Sequence, residues 1–142
     1  MTAKHSIKHT LFYLCVAVFL EGCFVRDFLD RAKQLRTYTN MQAIVGRIEE
    51  ARATAGAISD EQIAEMLRSE ANGRDEWGRL LIYDSRRGSN GFSYIVASLG
   101  RDGRLDVPKI EDYYTSTLEY IDEKFDRDIV FVNGRPLKNA GK

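Results

Sequence analysis

Residues 75–83 read DEWGRLLIY and residues 92–103 read FSYIVASLGRDG, and the fold turns on how these two pieces are taken. Arg79–Tyr83 is a short β-prone run, and Phe92–Ser98 alternates as a half-buried strand does. Between them DSRRGSNG, residues 84–91, is rich in turn formers, so the runs read as an antiparallel hairpin with a longer loop. Gly78 allows a tight corner before the first strand, and Asp102-Gly103 turns the chain after the second. A last run, Asp128–Val132, meets Asn133-Gly134, the strongest short hairpin signal, with Arg135-Pro136-Leu137 pairing back.

Upstream of this sheet the periodicity is helical. Phe28, Leu35, Tyr38, Met41, Val45 and Ile48 recur at spacings of three, four and seven, which predicts a helix over 28–55 with one apolar stripe. Gly56 ends it, as glycine does at a C-terminal cap. Ser59 then caps a second helix, 60–71, with Gln62 at the capping-box position and Ile63, Met66 and Leu67 on its apolar side. Asn72-Gly73 is turn chemistry. These elements predict an α+β fold, a long N-terminal helix packed on a small antiparallel sheet within 79–138. Trp77 reads as a core anchor between the second helix and the first strand. The segment RLDVPKIEDYYTSTLEYIDEKF (104–125) is an insertion before the last strand, with a helical turn expected around 112–124. Its Tyr113, Tyr114 and Tyr120 cover the sheet edge or form an aromatic patch for a partner.

The first residues differ in kind. Lys4 and Lys8 precede LFYLCVAVFL (11–20), which is uncharged until Glu21. A bilayer-spanning helix wants about 20 apolar residues and an export-signal core about 7–15. Three readings stand for residues 1–27. One is an uncleaved single-pass anchor, continuing through Cys23 toward Phe28 with its lysines cytoplasmic. Another is a lipoprotein signal, since Leu20-Glu21-Gly22-Cys23 is similar to a lipobox that would place lipid on Cys23. The third is a buried core helix. Residues 28–142 then form the head.

Composition removes several classes of function. Lys plus Arg and Asp plus Glu both number 21, so there is no net field to draw in nucleic acid. Hydrophobic residues at 44% allow one packed domain in 142 residues. Cys15 and Cys23 both lie in the N-terminal segment, which leaves the head without a disulfide or a thiolate metal site. His5 and His9 are the only histidines, so a Ser-His or Cys-His nucleophile pair in the head is unavailable. RRGSNG lacks the strand-to-helix setting of a phosphate loop. The chain reads as non-enzymatic.

Three pieces in order carry a resemblance. They are Asp75, Trp77, Gly78 and Tyr83; then Tyr94, Val96, Ser98, Leu99, Gly100, Asp102 and Gly103; then Asp126, Asp128 and Ile129. Over residues 28–138 the chain resembles the head domain of the major (G-type) pseudopilin family of type II secretion systems. The resemblance implies a pilin-like head on a long helix, and a single-pass subunit of the inner membrane with its head in the periplasm. It also implies assembly with other pseudopilins or secretion-apparatus proteins in protein export. It further implies calcium in the loop after the second strand, which by position would fall to the Leu99 carbonyl, Asp102, Asp126 and Asp128. Asp106 is a further oxygen donor there, and Arg101, Arg104 and Arg127 crowd the same carboxylates. The family's prepilin processing pattern is not matched: Lys8 stands where its cleavage glycine belongs and Tyr13 where its glutamate belongs. The alternative function is an envelope lipoprotein, lipidated on Cys23, whose pilin-like head is a protein-binding module.

Overall fold

The structure, a computed structural model, describes residues 3–56, 58–88, 91–116 and 125–137, with side chains from residue 25 onward, Ala71 excepted. Helix α1 runs Ala3–Ala55 and helix α2 Asp60–Ala71. Strands β1 (Ile82–Gly88), β2 (Gly91–Ser98), β3 (Ile129–Val132) and β4 (Arg135–Pro136) form one sheet in chain order, every neighbouring pair antiparallel. A 3-10 turn, Ile110–Tyr114, lies between β2 and β3. The fold is therefore α+β, a long N-terminal helix with a small antiparallel sheet. The chain forms two compact units, Met1–Ala32 and Lys33–Lys142.

In the second unit both faces of the sheet are covered. Met41, Ile44, Val45 and Ile48 of α1 join Ile63 and Leu67 of α2 against Tyr94, Val96, Ile129 and Phe131. On the other face Ile95, Ala97 and Val130 lie under Tyr113, with Leu105, Val107, Ile110 and Tyr114 around them. This is why β2 is buried at every position from Tyr94 to Ser98 rather than alternating, since the segment after it folds back as a third layer. Tyr113 is 2% exposed, and Tyr114 lies across β1 and β2 with its hydroxyl toward the Asp84 and Ser93 carbonyls. Both tyrosines cover the sheet; Tyr120 lies outside the described residues.

Three expectations change. The hairpin loop is much shorter than DSRRGSNG suggests, because pairing continues to Gly88↔Gly91 and leaves only residues 89–90 between. Polar residues suit this strand because several have partners: the Tyr83 and Ser85 hydroxyls both donate to Asp60 at 2.9 Å, and Arg86 sits 3.7 Å over the Tyr114 ring. The helical turn of the insertion is a 3-10 turn nearer its start, while residues 117–124 lie outside the described residues. Trp77 is half-buried and belongs to neither apolar cluster.

The α1 stripe also divides. Met41, Val45 and Ile48 are buried, but Phe28 and Leu35 are 73% and 66% exposed. The two successive steps of three, 35 to 38 to 41, each fall about 60° short of a full turn. They carry the pattern from one helix face to another. The buried face runs through Gln34, Thr37, Met41, Ile44 and Ile48 instead, and its first members are polar. The apolar run 11–20, with Lys8, Tyr13, Cys15 and Cys23, has its side chains outside the described residues. Among the described residues no helix is long and apolar enough to cross a membrane.

Candidate functional site

The sequence places its candidate ligands where β2 leaves the sheet and β3 enters it. Both ends of this connection are fixed by buried polar contacts. Ser98, fully buried at the end of β2, donates to Asp75 Oδ2 at 2.8 Å, and its Oγ accepts the Gly100 N–H at 3.3 Å. Asp75 Oδ1 accepts the N–H groups of Trp77 at 3.0 Å and Arg79 at 2.8 Å. The Asp75 N–H in turn donates to the Arg79 carbonyl at 2.8 Å, and Gly78 closes the turn at φ +81°. The Thr37 hydroxyl accepts the Glu76 N–H at 3.1 Å, which seats the same turn on α1. One carboxylate thus locks the Trp-Gly corner and ties it to the start of the candidate loop.

Within the loop the groups expected to bind an ion have other partners. The Leu99 carbonyl accepts the Gly103 N–H at 3.2 Å. Asp102 is exposed, and its Oδ1 accepts the Arg104 N–H at 3.0 Å. Asp126 receives a two-pronged contact from Arg101, Nε to Oδ1 at 2.7 Å and Nη2 to Oδ2 at 2.9 Å. Asp106 and Asp128 exchange backbone contacts: the Asp106 N–H donates to Asp128 Oδ2 at 3.0 Å, and the Asp128 N–H to Asp106 Oδ2 at 2.9 Å. Arg127 closes on Asp106 Oδ1 at 3.1 Å. The Tyr113 hydroxyl donates to Asp128 Oδ2, joining the third layer to β3.

Asp128 is the buried member of this set, 6% exposed, with Oδ1 buried and without a hydrogen-bond partner. Burial pushes its carboxyl up to about 6, against the lowering effect of the Tyr113 and Asp106 hydrogen bonds. The charges of Asp106 and Asp102 add to the rise. Burial first, then the Asp128 carboxylate, raises the Tyr113 hydroxyl above its ordinary value.

Calcium takes six to eight oxygens, mixing carboxylates and carbonyls. The four expected ligands do not fit that requirement in this arrangement. A guanidinium fork occupies Asp126, Asp102 Oδ1 and the Leu99 carbonyl serve backbone N–H groups, and Asp128 Oδ1 is buried without a hydrogen-bond partner. Among the described residues no three His, Cys, Asp or Glu side chains come together in a way that could hold a metal. What the arrangement does is bind two chain segments by paired charges: Arg101 and Arg127 join the stretch after β2 to the stretch before β3. The role of Asp75 lies in the motif itself, as a short acidic residue two positions before Trp-Gly, which is Asx-turn chemistry. Nothing in the sequence alone signalled the distant Ser98 contact. Compared with known proteins, the chain matches no family model, no curated protein and no solved structure.

Proposed function

We propose that this chain is a non-enzymatic, pseudopilin-like subunit, anchored in the inner membrane through its N-terminal segment, that works in a type II secretion or pilus-like assembly for protein export. The observation that carries the reading is the pairing of a 53-residue helix with a head that uses only its C-terminal part. Among the described residues, the head's apolar clusters draw on α1 from Tyr38 onward. A helix that long has a second task beyond supporting the sheet, and the uncharged run 11–20 at its start is suited to lipid. The motif resemblance supports the same conclusion independently.

The test is made in the native host. Deleting the gene should lower export of secreted proteins while leaving total synthesis unchanged. The full chain should be extracted from membranes by detergent but not by alkaline carbonate, with its head open to protease only after the outer membrane is breached. Unchanged export on deletion sinks the secretion role, and recovery in the soluble fraction sinks the anchor. An intact mass showing lipid on Cys23 and loss of residues 1–22 would establish the lipoprotein alternative instead.

A further inference from the structure

The sheet has two edges, and only one is blunted. β4 is two residues long and ends in Pro136, which has no N–H to offer. β1 is seven residues long and pairs with β2 without a break from Ile82↔Ala97 to Gly88↔Gly91, so neither a bulge nor a proline interrupts its outer side. The contacts around it fix which backbone groups face outward. Tyr94 spends both its backbone groups on the β3 side, its N–H donating to Asn133 Oδ1 at 2.9 Å and its carbonyl accepting the Asn133 N–H at 3.0 Å. Ser85, opposite Tyr94, therefore points its own N–H and carbonyl away from β2, and so do Tyr83 and Arg87 on either side of it. Leu81, next in that series, already gives its N–H to the Gly73 carbonyl at 2.7 Å. The outward backbone groups of Tyr83, Ser85 and Arg87 have no partner among the described residues.

Charged side chains usually protect such an edge. Here they select one way of pairing it. Asp84, Arg86 and Arg87 form no ion pair among the described residues, and both arginines are exposed. An antiparallel copy of β1 centred on Ser85 sets Ser85 against Ser85, Tyr83 against Arg87 and Asp84 against Arg86. The outward groups of Tyr83, Ser85 and Arg87 then meet as hydrogen-bonded pairs, about six bonds in all. Asp84 and Arg86 fall at the closely spaced positions between them, so opposite charges face each other on both sides of the two-fold axis. They lie on the sheet face where Arg86 already stacks on Tyr114. On the other face Arg87 of one copy comes beside the Tyr83 ring of the second, a cation against an aromatic. Sliding one copy by two residues opposes Asp84 to Asp84 or Arg86 to Arg86, and a slide of one residue loses the hydrogen bonds. An all-acidic or all-basic strand would answer only one of the two signs.

We propose that two copies of this chain associate through β1, antiparallel and centred on Ser85, joining their four-stranded sheets into one. The inference does not rest on the assembly reading and adds to it a contact made by the head.

The test uses the full chain in detergent, with Cys15→Ser and Cys23→Ser removing the native thiols and one new cysteine placed in β1. Directly opposed residues of such a pair have Cα atoms about 5.5 Å apart, within disulfide reach, whereas the two copies of residue 87 would lie about 14 Å apart and out of it. Mild oxidation should therefore convert Ser85→Cys to covalent dimer at least about fivefold faster than Arg87→Cys. An equal mixture of Tyr83→Cys and Arg87→Cys chains should cross-link, while neither does so alone. In the Ser85→Cys background, Asp84→Arg or Arg86→Asp by itself should slow cross-linking about tenfold, because like charges then face each other at both positions. Mixing those variants, differently tagged, should restore the link between unlike chains, which misfolded chains would not do. Equal rates at residues 85 and 87, rates unmoved by charge reversal, or no recovery in the mixture would each overturn the proposal. Export loss on gene deletion, combined with any of those results, would leave the assembly reading standing and remove this one.

Discussion

Replacing Asp75 tests the corner that the whole head is built around. The carboxylate is 7% exposed and accepts three hydrogen bonds, from the Trp77 and Arg79 N–H groups and the Ser98 hydroxyl. A hydrogen bond to a charged group is worth about 1.5–3 kcal/mol, and a stranded buried partner costs about 1–3 kcal/mol. In Asp75→Ala the Trp77 and Arg79 amides, on half-buried residues, recover part of this from water. Ser98 is fully buried and recovers none. The expected loss is about 3–5 kcal/mol, a large share of the roughly 5–15 kcal/mol by which folded proteins are stable. Asp75→Asn should be far milder, about 1 kcal/mol, because its amide oxygen still caps the turn and the Ser98 hydroxyl can rotate to accept from the new N–H. Urea unfolding followed by both far-UV dichroism and the fluorescence of Trp77, the single tryptophan, reads these differences. A cycle with Ser98→Ala should show coupling of about 1–2 kcal/mol. A cost below about 1 kcal/mol for Asp75→Ala, or equal costs for Asn and Ala, would refute the claim that this carboxylate organises the turn.

Four further outcomes follow from the same geometry. A fragment of residues 33–142 should be soluble and unfold cooperatively, since both apolar clusters lie within it; aggregation or a broad transition by calorimetry would contradict this. Trp77→Ala should cost about 1–2 kcal/mol in urea titrations, less than the 3–5 kcal/mol of a fully buried aromatic, because the ring is half-exposed. Thermal melts of that fragment in millimolar calcium and in chelator should coincide while Arg101 grips Asp126, whereas a separation of several degrees abolished by Asp102→Ala would reveal a calcium site. Asp128 gives a pH dependence whose sign is opposite to that of a salt-bridged carboxylate. Its folded pKa, about 6, exceeds the ordinary aspartate value of 3.8, so the folded state holds the proton more firmly and stability falls as pH rises from about 4 to 6. Allowing for residual hydration of the carboxyl, the fall is on the order of 2 kcal/mol, read as the difference between wild type and Asp128→Asn.

The elements that were legible in the sequence are those with local causes. Helix α2 begins at Asp60 after a Ser59 cap and a Gln62 capping box, and ends at Asn72 in the left-handed region, because those residues solve a terminus by themselves. Asn133-Gly134 turns β3 into β4 for the same reason. The parts that were not legible depend on distant partners. Nothing in DSRRGSNG announces that Ser85 will find Asp60, or that Arg86 will find Tyr114, yet those contacts make the segment a strand. Phe28 and Leu35 fall into one stripe with Met41 in the sequence but are exposed, because spacings of three and four look alike whether the helix turns toward its core or away from it. At the candidate site, crowding by Arg101 and Arg127 was visible, but the reciprocal clasp of Asp106 and Asp128 was not. That clasp needs the insertion to return across the sheet.

Asp75, Gly78, Ser98, Gly100 and Gly103, five of the residues in the motif pieces, have a backbone task here. Gly100 sits at φ +60°, and a Cβ there would lie 2.5 Å from the Arg127 carbonyl oxygen and 2.9 Å from that of Phe125. Gly103 sits at φ +71°, where a Cβ would collide with the Arg79 side chain, whose Nη1 donates to the Gly100 carbonyl at 2.9 Å. Gly78 closes the corner that Asp75 caps, and Ser98 connects that corner to the loop. A sequence needs these residues to route its chain this way whether or not an ion sits in the loop. The motif is thus first an argument about backbone geometry. The arginines bear on the ion. In a loop where a cation would relieve carboxylate repulsion, Arg101 and Arg127 already supply positive charge, fixed by covalent attachment and present at all calcium concentrations. Exchanging them tests that substitution of roles directly. Arg101→Gln with Arg127→Gln should destabilise the head in chelator, and millimolar calcium should then restore part of the loss if Asp102, Asp106, Asp126 and Asp128 can be drawn together once the guanidinium groups are gone. Restoration by calcium in the double variant but not in the wild type would mean that the arginines stand in for the ion. No loss on removing them would mean that the loop is held by its backbone and by Tyr113 alone, and the charge argument would fail.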